Sequence, residues 1–184
     1  MKYAVCVVAS VLLLTACNKG PTVELKNASG NQVAQAVQQS GVMSSDTMIQ
    51  PGLWQSKVTV QDMNIPGMPP EMAARMKGAM ENRQQRTSSH CVKPEDVKKP
   101  KEDFFGAHDN SCKYAHFAMG GGKMDVQMVC KEEETTQTST MTGTYTPTSY
   151  SMDVSSQGTG GEQGGMSMKM HVDASRVGEC TGKE

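Results

Sequence analysis

The stretch "GGMSMKMHV", Gly164 to Val172, decides the fold. Its methionines fall at every second position, and the alternation continues to Ser175. Met166, Met168, Met170, Val172 and Ala174 fall on one side of an extended chain. Ser167, Lys169, His171, Asp173 and Ser175 fall on the other. A period of two is the signature of a half-buried β-strand. The same split recurs elsewhere. Tyr150, Met152 and Val154 oppose Ser151, Asp153 and Ser155, and Met124, Val126, Met128 and Cys130 oppose Lys123, Asp125 and Gln127. In "LWQSKVTVQD", Trp54, Ser56, Val58 and Val60 share one face. Several strands with one apolar and one polar side describe one antiparallel sheet with one buried face.

The methionines admit a second chemistry, because thioethers are soft donors that suit Cu(I). Met166, Met168 and Met170 are the candidate ligands for a metal. His171, the imidazole nearest them, points to the opposite face of an unbulged strand. The apolar pattern also runs over several strands rather than clustering at one place. The methionines therefore read as core filler, with cuprous-ion binding or oxidant buffering as the alternative.

Composition explains why methionine is used this way. Beyond residue 16 the chain holds two leucines (Leu25, Leu53), two isoleucines (Ile49, Ile65), one tryptophan (Trp54) and fifteen methionines. The same part carries 17 basic and 19 acidic residues. That near-balance gives no electrostatic case for a nucleic-acid partner. Its length suits a single domain.

The chain is predicted to be mainly β with some α: a meander of about six strands, one amphipathic helix and two disulfides. "PPEMAARMKGAMENRQQR" supplies the helix, with Pro70 in its first turn and an apolar stripe of Met72, Met76, Ala79 and Met80 that would pack on the sheet. Residues 17–50 read as a polar tether, with a short helix capped by Ser29 and ended by Gly41. Residues 51–184 read as one β-rich domain. "QGTGGEQGG" reads as a nine-residue loop, and "KPKEDFFGAHDNS" as a polar loop holding Phe104 and Phe105.

Four cysteines remain once Cys6 and Cys17 are set aside: Cys91, Cys112, Cys130 and Cys180. No C-x-x-C spacing is present, so an exported domain of this kind calls for two disulfides. "CKYAHFAMGGGKMDVQMVC" is nearly symmetric about Gly121. A hairpin turning there sets Cys112 opposite Cys130, within bridging distance. Cys91 is then left for Cys180.

The N-terminus carries an address. Lys2 precedes an apolar run, Ala4 to Leu14, too short to span a bilayer. It reads as a secretory signal, residues 1–16. The run ends in "LLTAC", Leu13 to Cys17, which resembles the lipobox of bacterial lipoproteins. That resemblance implies acylation of Cys17, a membrane partner through the lipid, and a place in the cell envelope. Asn18, where an aspartate would favour inner-membrane retention, implies the periplasmic side of the outer membrane.

"PGLW", "PGMPPEM", "HCV" followed by "KPED", the hairpin ending "VC", "TGTY" and the closing "RVGEC" together resemble a family of small exported Gram-negative proteins classed as a domain of unknown function. The similarity runs from Pro51 to Cys180. It implies secretion and a β-rich domain, and it brings no catalytic residues.

No catalytic set stands out. G-x-S-x-G and H-E-x-x-H are missing, and the cysteines are assigned to bridges or lipid. "GGGK", Gly120 to Lys123, lacks the frame of a phosphate loop and reads as a hairpin turn. His90, His108, His116 and His171 read as surface or satisfied histidines. The sequence thus describes a non-catalytic binding or interaction module with no cofactor, whose partner is a protein or an apolar ligand.

Overall fold

Eight strands form one antiparallel sheet in the computed structural model, which describes residues 20–43, 49–84, 87–98, 111–161 and 165–182. The elements are β1 (Thr22–Ala28), α1 (Gly30–Ser40), β2 (Gly52–Asn64), α2 (Pro70–Gln84), β3 (Ser88–Val92), α3 (Pro94–Lys98), β4 (Cys112–Gly120), β5 (Lys123–Glu132), β6 (Thr135–Thr146), β7 (Ser149–Thr159) and β8 (Ser167–Gly178). Their order across the sheet is β1-β4-β5-β6-β7-β8-β2-β3. Strands β4 to β8 are a meander in chain order. The long first strand of the family-like region, β2, closes onto β8.

Local chemistry fixes the turns. Gly121 and Gly122 form a two-residue turn between Gly120 and Lys123, with φ of 57° and 73°. Positive φ at both turn positions matches the twist of the flanking strands, and glycine reaches it without strain. At the β6–β7 turn, the Thr146 hydroxyl accepts from the backbone N–H of Thr148 (3.3 Å) and of Ser149 (3.0 Å). Gly143 stands opposite Met152, where any Cβ would collide with the Ser151 carbonyl.

The class is as the sequence implies, and the strand count is higher than six chiefly because β1 arises inside the stretch read as a tether. "RTSSHCV" reads as a strand in the sequence, and it pairs along β2 as β3. Residues 20–43 are not a tether. Strand β1 pairs antiparallel with β4, setting Val23 opposite Met119 and Leu25 opposite Phe117. Helix α1 begins at a Ser29–Gln32 capping box and ends at Gly41, with φ of 74°. Its Val33 and Val37 are fully buried. The polar composition of this stretch hides that Val23, Ala28, Val33, Ala34, Val37 and Val42 recur where a strand and a helix can both bury them.

Helix α2 corrects the sequence reading in the opposite sense. It lies against β2, but Met72 is 56 % exposed. The side turned toward Val60 and Met63 is Ala73, Ala74, Lys77 and Met80 rather than the full methionine stripe. The helix that seals the core is α1. The glycine-rich loop is also shorter than nine residues, because β7 continues to Thr159. Phe104, Phe105 and His108 lie outside the described residues.

Two cores result. The larger contains Val33, Val37, Val42, Tyr114, Phe117, Met119, Met124, Val126 and Tyr145 beneath α1. Tyr114 and Phe117 meet edge to face, centroids 5.7 Å apart. The smaller contains Trp54, Val92, Val97 and Ala174. Trp54 stacks on Tyr150 at 5.7 Å and donates its indole N–H to the Gln50 carbonyl at 2.9 Å. Ile49 packs against both cores. Two disulfides are formed. Cys112 bonds Cys130, its register partner in the β4–β5 hairpin. Cys91 bonds Cys180 across the end of β2, where Leu53 lies between Cys91 of β3 and Gly178 of β8.

Candidate functional site

The apolar side of the sheet is sealed beneath α1 and around Trp54 and only partly covered between them. Rows of cross-strand partners can be read from β7 through β8 to β2. Met152, Val172 and Val58 form one row. Val154, Met170 and Val60 form the next, and Ser156, Met168 and Met63 the third. Met152 packs against the edge of the larger core. The rest of this grid belongs to neither core. Its members are half-buried, and Val58 is 38 % exposed. Strand spacing and rise make the grid about 10 Å by 14 Å. Helix α1 lies over β1 and β4, and α2 over β2.

A bulge keeps this face apolar. The pairing of β2 with β8 shifts between Val60 and Asp62, so that Gln61 is the extra residue. Strict alternation would send Asp62 to the apolar side and Met63 to the polar side. The inserted residue returns Met63 to the methionine face, opposite Met168. The sequence reading stopped at Val60 for want of that shift.

The polar side carries a cluster that the sequence reading missed. The Asp153 carboxylate is 2.7 Å from His171 Nδ1, and the Ser151 hydroxyl is 3.2 Å from His171 Nε2. Asp173 Oδ1 lies 3.1 Å from the same Nε2 and accepts from the Ser151 hydroxyl at 2.9 Å. Asp153 and His171 are register partners, as are Ser151 and Asp173, and Lys57 faces Asp173 from β2. The signal was present: all four residues occupy polar-side positions of the last two strands. What the sequence lacked was the register that makes them neighbours. Beside them is a shallow depression of about 450 Å³, bordered by Gln55, Lys57, Thr87, Ser149, Ser151 and Asp173.

Serine, histidine and aspartate in contact invite comparison with acyl-transfer sites. A general base needs a neutral imidazole with a free lone pair toward the hydroxyl. Here the bond that His171 makes to the Asp153 carboxylate, followed by the bond and charge of Asp173, raises the His171 pKa. The Ser151 hydroxyl bonds to Asp173, which holds that carboxyl below its usual range, with His171 and Lys57 adding to the effect. Ser151 also lies inside a paired strand, where ladder bonds engage the backbone N–H groups that an oxyanion hole would need. The arrangement can fix charge and hold β7 to β8.

Of the site residues expected from sequence, Cys91, Cys112, Cys130 and Cys180 are in bridges, and Cys17 lies outside the described residues. Met166 and Met168 border one small pocket, of about 120 Å³, together with Met63. Met170 is one row away, against Val60 and Val154. Among the described residues, no group of three or more His, Cys, Asp or Glu could hold a metal ion, and no helix is long and apolar enough to cross a membrane.

Fold and site define a disulfide-stapled, single-sheet β domain with one open apolar face. The family model for a protein of unknown function, DUF3617, matches residues 49–180, and the chain belongs to that family. Strand β1 and α1 precede the matched region, yet they complete its main core. No curated protein and no solved structure matches the chain.

Proposed function

We propose that this protein is a lipid-anchored, non-catalytic binding module of the cell envelope, and that it takes up an aliphatic chain on the open grid of β7, β8 and β2. The observation that carries the reading is the half-buried block of Val58, Val154, Met168, Met170 and Val172, outside both sealed cores and bordered by Val60 and Met63, which face α2. A face of this kind loses water when an apolar ligand covers it. Thioether side chains adapt to ligands of varied shape. The lipobox-like "LLTAC" supports acylation at Cys17, and Asn18 supports the outer membrane as its destination. The Ser151 hydroxyl donates to Asp173 within a paired strand, which supports a role other than hydrolysis for the polar cluster.

Titration with a fluorescent fatty acid tests this reading. Saturable one-to-one binding is expected, with Val154→Lys and Met170→Lys each weakening it by about tenfold or more. Unchanged binding in both variants, at retained thermal stability, rejects the grid as the site. Palmitate labelling tests the anchor. The label should reach the wild-type chain and not Cys17→Ser, and equal labelling of both contradicts the assignment.

A further inference from the structure

We infer that Met63, Met166 and Met168 form a binding site for Cu(I). Three features bring these thioethers together. The bulge at Gln61 turns Met63 onto the methionine face as the direct partner of Met168. Directly paired residues have Cβ atoms about 5 Å apart. Met166 stands two positions before Met168, and its backbone is fixed where β7 meets β8: the Gly158 N–H donates to the Met166 carbonyl at 2.8 Å, and the Gly165 N–H donates to the Gly158 carbonyl at 2.8 Å. The three side chains border one pocket, whose remaining walls are Thr135, Gln137, Ser156 and Gly158.

The chemistry selects the ion. Among the described residues, all three strong donors are neutral sulfurs; the other polar side chains are Thr135, Gln137 and Ser156, and the Gln137 amide and Ser156 hydroxyl are bonded to each other. Gln137 Nε2 donates to Ser156 Oγ at 2.8 Å, and Ser139 Oγ donates to it at 3.3 Å. Among the described residues, no carboxylate, imidazole or thiolate borders the pocket. Hard divalent cations want oxygen anions, and zinc and Cu(II) want nitrogen or thiolate. A soft monovalent ion accepts thioethers alone. The site is at the solvent edge of the sheet, with Met166 36 % exposed, so entry needs no opening of a core.

This site is distinct from the set suggested by alternation alone, because it includes Met63 and excludes Met170. It shares Met168 and the edge residue Met63 with the proposed aliphatic-chain face, whose centre is Val154 and Met170; Met166 belongs to the Cu(I) set alone. The test is anaerobic competition for Cu(I) between the full protein and a chromophoric chelator, using wild type and the single variants Met63→Leu, Met166→Leu, Met168→Leu and Met170→Leu. Leucine conserves volume closely enough to leave the fold intact, and matching circular dichroism melting curves check this. Met63→Leu, Met166→Leu and Met168→Leu should each lower Cu(I) affinity by about tenfold or more, while Met170→Leu leaves it unchanged. Sulfur-only scattering in the X-ray absorption spectrum of the loaded wild type is also expected. Wild type that fails to compete with the chelator overturns the site. So does Met63→Leu binding as tightly as wild type, or Met170→Leu losing as much as Met63→Leu. Fatty-acid binding that survives Met166→Leu while Cu(I) binding falls separates the two readings.

Discussion

Truncating Val33 and Val37 to alanine asks whether residues 20–43 belong to the fold. Both side chains are fully buried in the larger core. Each substitution removes two methyl groups from that core. At about 0.8 kcal/mol per buried carbon, the pair loses about 3 kcal/mol in transfer free energy. Residual cavity adds to this, since the surroundings collapse only in part. Alanine returns about 1 kcal/mol across the two positions through its better helix propensity. The two residues are one turn apart, so their effects will not add perfectly. The expected net loss is about 2–4 kcal/mol, a large share of the 5–15 kcal/mol that holds a typical domain together. Urea denaturation followed by tryptophan fluorescence measures it well. Trp54 is the single tryptophan, is fully buried, and belongs to the other core, so it reports cooperative unfolding rather than local fraying of α1. With a slope of about 2 kcal/mol per molar urea, the midpoint should fall by about 1–2 M. A midpoint that does not move would refute the packing of α1 and restore the tether reading.

Two other perturbations have worked outcomes. The chain-entropy estimate gives about 4.6 kcal/mol for the Cys91–Cys180 bridge and about 3.2 kcal/mol for Cys112–Cys130, from sequence separations of 89 and 18. Urea midpoints should therefore drop further for the Cys91→Ala, Cys180→Ala double variant than for Cys112→Ala, Cys130→Ala, and the reverse order contradicts the argument. The polar cluster sets a pH dependence. Because the His171 pKa is raised, its contribution is full below 6.5 and fades as pH climbs through the folded value. The Asp173 pKa is lowered, so its contribution is full above 3.8 and fades as pH falls through the folded value. The melting temperature of wild type should exceed that of His171→Asn most at about pH 5 and converge with it in alkali. Proton NMR should show the imidazole titrating above 6.5 in wild type and lower in Asp153→Asn, since the Asp153 hydrogen bond is the largest cause of the shift.

Period-two alternation made the sheet legible, because β5, β7 and β8 carry their apolar side chains in phase, while β4 changes phase at a bulge between Tyr114 and His116. The hairpin bridge was legible from the near-symmetry about Gly121, although the turn at Gly121 and Gly122 alone would oppose Cys112 to Lys131, and a bulge between Tyr114 and His116 brings Cys130 opposite it. Illegible features were those that depend on partners distant in sequence. Val23 and Val33 look incidental among Asn, Gln and Ser until β4 lies beside them. Met63 breaks phase until a bulge against β8 restores it. Ser151 and His171 are ordinary polar-side residues until the β7–β8 register sets them in contact. Helix α2 misled because a methionine stripe fixes a side but not what covers it.

Relaxation of methionine methyl NMR signals by a spin-labelled fatty acid tests the open grid most directly. The methyls of Met168 and Met170 should broaden strongly and saturably. Those of Met119 and Met124, sealed beneath α1, should stay sharp, and Met72, exposed on α2, should show no saturable effect. Broadening confined to Met72, or equal at all five methyls, would contradict an apolar face held open for a ligand.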